Sequence, residues 1–126
     1  MHHDQTLAKA KAGTGVPVDF TGTWINELGS QVALVQTGNA LAGVYQSAVS
    51  TGGTTTTGNV LGYVDGDLIG FTVHWISFQA ITAWVGQLEP NAGTDTIKTL
   101  WQMTNQVDPG DEWASINAGS DIFVRK

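Results

Sequence analysis

The sequence contains no cysteine, and only five of its 126 residues are lysine or arginine. Without cysteine there is no disulfide framework, no thiolate nucleophile and no Cys-ligated metal. The scarcity of basic residues, with a formal net charge of −6, argues against a nucleic-acid partner, because phosphate binding needs clustered cations. No apolar run approaches the ~20 residues of a membrane helix. No window of helical length carries a 3.6-residue apolar stripe. The opening Met1-His2-His3-Asp4-Gln5 lacks the apolar segment of a secretory signal. The length suits one domain with one core and leaves no room for a second.

Residues 1–17 are rich in Ala, Lys and Gly and read as a flexible leader. A helical turn over Leu7–Ala12 has too few apolar positions to dock. Residues 18–126 form the folded domain, and their pattern is β throughout. Short runs rich in Val, Ile, Thr, Trp and Tyr predict strands near 20–26, 30–37, 40–47, 57–64, 67–76, 80–89, 95–105 and 112–125. Turn chemistry separates them at Leu28-Gly29-Ser30, Thr37-Gly38-Asn39, Asp65-Gly66-Asp67, Pro90-Asn91-Ala92-Gly93 and Asp108-Pro109-Gly110-Asp111. Asp65-Gly66 is the strongest hairpin signal, read as the central pair of a type I′ turn. Glu112–Asn117 is open to a short helical turn before the last strand.

Eight strands joined by short hairpins predict an all-β fold, an eight-stranded antiparallel up-and-down β-barrel. Closure removes the edge strands. A barrel of this size admits side chains or one small ligand. Alternation puts Phe71, Val73 and Trp75 on one inward face and turns His74 outward. The polar stretch Ser50–Gly58 fits a binding lid or a solvated connection equally well.

Five tryptophans, Trp24, Trp75, Trp84, Trp101 and Trp113, lie beside the polar clusters Asn26–Ser30 and Tyr45-Gln46-Ser47. Apolar walls with a few placed polar atoms are the composition of a small-molecule pocket. Each residue also has a plainer reading. Tyr45 alone fits a half-buried strand tyrosine, and Asp121 alone fits a strand-entry carboxylate. Trp24 reads as core at the closed end, and Glu27 and Gln46 as outward-facing. His74 has no second ligand at metal spacing, and Asp108–Glu112 lacks the spacing of a calcium loop. A Ser47, His74 and Asp121 triad fails because no nucleophile elbow precedes the serine and His74 faces away. No metal site and no catalytic residues are expected.

In order along the chain, Phe20–Ser30, Leu41–Val49, Phe71–Trp75, Thr82–Gln87, Leu100-Trp101 and Gly119–Phe123 resemble the avidin/streptavidin family of biotin-binding β-barrels. All five tryptophans fall where that family places one. The resemblance implies a non-enzymatic protein that binds biotin with high affinity in the open end of the barrel and needs no cofactor. It implies that Asn26, Ser30 and Tyr45 donate to the urea oxygen, and that Ser47 and Asp121 accept from the ring N–H groups. Thr82 would face the ring sulfur. Trp75, Trp84 and Trp101 would form the walls, with Leu28, Val49 and Met103 filling gaps. Trp113 would reach into a neighbouring subunit's site, which implies a homo-oligomer, a tetramer before a dimer. A secreted or periplasmic location is also implied.

Three positions depart from the family pattern. Ala80 stands where many members carry a serine for the ligand's carboxylate tail. The connection Ile76–Gln79 is short, leaving the mouth more open or walled by Phe78. Met103, expected under the ring, replaces an aliphatic residue. The rival reading is a small secreted barrel that binds a protein partner, such as a protease inhibitor, through the 50–58 loop.

Overall fold

The computed structural model describes residues 2–13, 16–48, 55–89 and 93–126. Among these, eight strands form a closed antiparallel barrel in chain order: β1 (Gly22–Ile25), β2 (Gln31–Thr37), β3 (Ala40–Ser47), β4 (Thr56–Asp65), β5 (Leu68–Trp75), β6 (Ala80–Leu88), β7 (Thr96–Asn105) and β8 (Ile116–Arg125). Each strand pairs with its sequence neighbour, and β8 returns to β1. The barrel therefore leaves no free edge.

Beyond shifts of one or two residues at strand ends, three features differ from those the pattern predicts. A 3₁₀ turn occupies Glu112–Ala114, so β8 starts at Ile116 rather than 112. The Asp65-Gly66 hairpin is centred one residue later: Asp65 pairs with Leu68, leaving Gly66 and Asp67 in the loop. Gly66 has φ +58°, the left-handed region that both primed hairpin turns require at their first central position. Within residues 1–17, the helix is α1 (His3–Leu7), not Leu7–Ala12. The His2 N–H donates to Gln5 Oε1 at 3.1 Å, which fixes the start of α1 upstream, and none of its residues is buried.

Alternation sorts the side chains. Phe20, Trp24, Val32, Leu34, Leu41, Val60, Val64, Ile69, Phe71, Val73, Ile97 and Phe123 fill the interior at the closed base. Full burial of side chains of this kind contributes roughly 1.5–3 kcal/mol each. Trp24 is fully buried, as expected of a core residue, and its indole N–H donates to the Phe20 carbonyl at 2.9 Å. That bond satisfies the polar atom that makes a buried tryptophan costly.

β1 is the shortest strand, and its seam with β8 has only the pairs Trp24↔Arg125 and Ile25↔Val124. Side chains extend the closure. Arg125 donates to the carbonyls of Thr21 and Asp19, each at 2.9 Å, and pairs with Asp95 at 2.8 Å. Its guanidinium lies 4.3 Å from the Trp24 ring centroid. The far end of the same seam, near the mouth, is closed by Glu27, whose carboxylate accepts from the Ile122 N–H at 2.7 Å.

Candidate functional site

The open end of the barrel holds a cavity of about 210 Å³, lined by Asn26, Leu28, Ser30, Tyr45, Ser47, Trp75, Thr82, Trp84, Trp101, Met103 and Asp121. Strand register explains the grouping. Thr82 pairs with Met103, Trp84 with Trp101, and Trp101 with Gly119. Inward positions on β6, β7 and β8 thus stack in rows beneath the mouth.

The base of the cavity is aromatic. Tyr45 stacks on Trp84 at 4.8 Å, and Phe71 stacks on Trp84 at 5.3 Å. Trp75 meets Tyr45 edge-on at 5.4 Å. Trp84 is 4 % exposed, so this indole underlies the cavity more than it walls it. Trp101 lies across Gly119, where an added Cβ would sit 2.5 Å from the indole. Only glycine allows that ring its position.

Local hydrogen bonds fix the direction of each polar group. Asn26 Oδ1 accepts from the Ser30 and Leu28 N–H groups at 2.9 and 3.1 Å, as in an Asx turn. Its carbonyl is thereby committed to the β1–β2 turn, and its amide N–H₂ faces the cavity, 3.4 Å from the Tyr45 hydroxyl. Ser30 Oγ accepts from the Ala48 N–H at 3.0 Å, which leaves its O–H as a donor. Burial pushes the Tyr45 phenol far above its usual range, with the charge of Asp121 adding to the effect. Tyr45 therefore stays protonated and able to donate.

Acceptors stand opposite these donors. Asp121 Oδ2 accepts from the Trp84 indole N–H at 2.9 Å. Burial raises the Asp121 carboxyl above its ordinary value; the Trp84 and Asn26 hydrogen bonds oppose the shift and the charge of Glu27 adds to it. Thr82 Oγ1 accepts from the Trp75 indole N–H at 3.0 Å. Ser47 lines the same wall, half-buried.

A sequence model of the Avidin family matches residues 14–126. The chain belongs to the avidin family. It is 31% identical over 118 residues to avidin of Gallus gallus, covering 84% of this chain and 77% of the relative. It is 32% identical over 127 residues to afifavidin of Afifella pfennigii, covering 96% of this chain and 77% of that one. The crystal structure of xenavidin superposes with a TM-score of 0.77 at 29% identity, covering 87% of this chain and 99% of that chain. Apo shwanavidin superposes with a TM-score of 0.71 at 26% identity, covering 88% and 100%.

In this avidin-family barrel, the residues expected around the ligand converge on one cavity, apart from Val49, which lies outside the described residues. Of the 50–58 loop, residues 50–54 also lie outside them. Met103 lines the cavity level with Thr82, one step nearer the mouth than Trp101. Ala80 opens β6 opposite Asn105 and does not line the cavity. Phe78 is exposed and does not wall the mouth. His74 faces outward, between Asn59 and Ile81. Trp113, in the 3₁₀ turn, is 85% exposed and away from its own barrel's cavity.

Two supporting residues escape sequence reasoning. The Thr99 hydroxyl, buried, donates to the Asp121 carbonyl at 2.8 Å. Glu27, expected to face outward, is exposed, yet its carboxylate reaches across the seam to β8 beside Asp121. No periodicity signals either contact, because both depend on which strands become neighbours at closure.

Proposed function

We propose that this chain binds biotin non-covalently in the open end of its barrel and works as a homo-oligomer, a tetramer in our reading. The observation that carries it is the fixed polarity of the cavity. Asn26, Ser30 and Tyr45 present donors because their other lone pairs or their ionisation are already constrained. Three donors converging in a dry site suit a carbonyl oxygen that gains negative charge as it is polarised. Ser47 and the Asp121 carboxylate suit the two N–H groups of a cyclic urea, and Thr82 suits the ring sulfur. At about 210 Å³, the cavity is smaller than the roughly 300–1,000 Å³ of drug-sized sites. It fits a bicyclic head, with the tail leaving past Leu28 and Met103.

The reading includes no catalysis and no cofactor. Asp121 is the sole carboxylate lining the cavity among the described residues, so paired acid–base chemistry has no second member. Assembly is supported by the outer wall. Leu61, Tyr63, Val85, Leu100 and Trp113 are all exposed, and apolar surface of that extent on a folded barrel calls for a partner. We read Trp113 as the wall lent to a neighbouring barrel.

Calorimetric titration with biotin, run beside size-exclusion chromatography with light scattering, tests both parts. The expected result is one site per chain and a mass of four chains. Absence of heat, or failure of biotin resin to retain the chain, overturns the ligand. A monomeric mass overturns the assembly.

A further inference from the structure

β1 ends at Ile25, opposite Val124. Continued by two residues, the antiparallel ladder would set Glu27 against Ile122. The main chain instead turns away at Asn26, whose N–H donates to the Ser30 carbonyl at 3.0 Å and whose own carbonyl accepts from Gly29. The Ile122 N–H would be left without a ladder partner on this side, and the Glu27 side chain supplies the missing acceptor at 2.7 Å. Ile122 directly follows Asp121. The seam is latched next to the one carboxylate of the cavity.

We propose that Glu27, which is outside the cavity, is a positioning residue for Asp121: its side chain latches β8 to the β1–β2 turn, and its charge makes ligand retention acid-sensitive. The inference rests on the biotin reading for its functional part. Its structural part does not need a ligand.

Asp121 is held from three other directions. The Trp84 indole on β6 fixes the carboxylate, Thr99 on β7 fixes the carbonyl, and the Asn26 amide approaches from the turn. The titratable groups bearing on it are Glu27 from the β1–β2 turn and Tyr45 from β3. Arg125, on β8 itself, is engaged with Asp95 at the base. Among the described residues, no lysine, arginine or histidine lines the cavity. Nothing among the lining residues therefore offsets the negative charge that Glu27 adds. Only an ionised Asp121 accepts a ligand N–H with both oxygens, and Glu27 raises the pH at which that state is lost.

Two variants separate latch from charge. Glu27→Gln keeps an oxygen acceptor for the Ile122 N–H and removes the charge. Glu27→Ala removes both. The free protein is titrated from about pH 7 to about pH 3 while the Trp84 indole N–H resonance, assigned by its loss in Trp84→Phe, is followed. Biotin dissociation is measured over the same range. Expected for Glu27→Gln is a lower pH midpoint of the Trp84 signal and biotin held to lower pH, with neutral off-rates near those of the parent. Expected for Glu27→Ala is a displaced Trp84 signal at neutral pH and an off-rate about fivefold faster. An unmoved midpoint in Glu27→Gln overturns the charge effect, and a parental spectrum and off-rate in Glu27→Ala overturn the latch. Should the parent bind no biotin, the ligand reading fails by itself, and the Trp84 titration still decides for or against Glu27.

Discussion

Asn26 and Ser30 carry side chains that can donate or accept, and the β1–β2 turn removes that ambiguity. Backbone N–H groups occupy their oxygens, so each offers the cavity a donor. Asp121 is the complement, purely an acceptor while it is ionised. Its carboxyl is raised above the ordinary 3.8 by burial, so the fold disfavours its charged form. For a carboxyl raised in this way, stability increases as pH falls through the folded value toward the unfolded one. Asp121→Asn should then unfold at an equal or higher temperature than the parent at neutral pH, the difference vanishing in acid. The same substitution should weaken biotin binding about 10- to 100-fold by removing a charge-assisted hydrogen bond. Calorimetry and thermal unfolding at paired pH values read both effects. Biotin affinity of the parent should fall as pH drops through the raised Asp121 value, a trend that competition titration would follow.

At the scale of strands, the closed ring leaves little freedom. The Trp101↔Gly119 pair between β7 and β8 places an indole over a residue without a side chain. Gly119→Ala should push that ring into the cavity and reduce biotin affinity several-fold, with a smaller loss of stability; titration and denaturant midpoints would distinguish the two. At the base, Arg125 joins β8 to Thr21, Asp19, Asp95 and the face of Trp24. Arg125→Ala should lower stability by about 2 kcal/mol in chemical denaturation without a matching loss of biotin affinity. The strands themselves were legible in the sequence, because period-2 alternation and Gly-Asp or Gly-Asn turns mark them directly. The displaced hairpin centre at Gly66-Asp67 was harder to read, whereas the 3₁₀ turn at Glu112–Ala114 falls where the sequence left a short helical turn open. Turn signals span several residues, and register is set by neighbouring strands.

At the scale of the molecule, composition alone argued against nucleic acid and ruled out a disulfide scaffold, while the resemblance named the residues around the cavity. Their convergence from five strands and a turn could not be read from spacing alone, since it depends on how the ring closes. Glu27 and Thr99 were missed for that reason. The outer wall raises the remaining question. Trp113 stands 85% exposed on a short turn, and in the proposed assembly a second barrel shelters it. Trp113→Lys should both speed biotin release and reduce the mass seen by light scattering. Unchanged values for both would leave Trp113 a surface residue and remove the shared-wall reading.

β1 climbs from the base toward the opening and β8 descends from it, so Phe20 and Lys126 emerge side by side at the plugged bottom of the ring. A dye, a tether or another folded unit joined at Lys126 would hang from the underside and leave the entrance unobstructed.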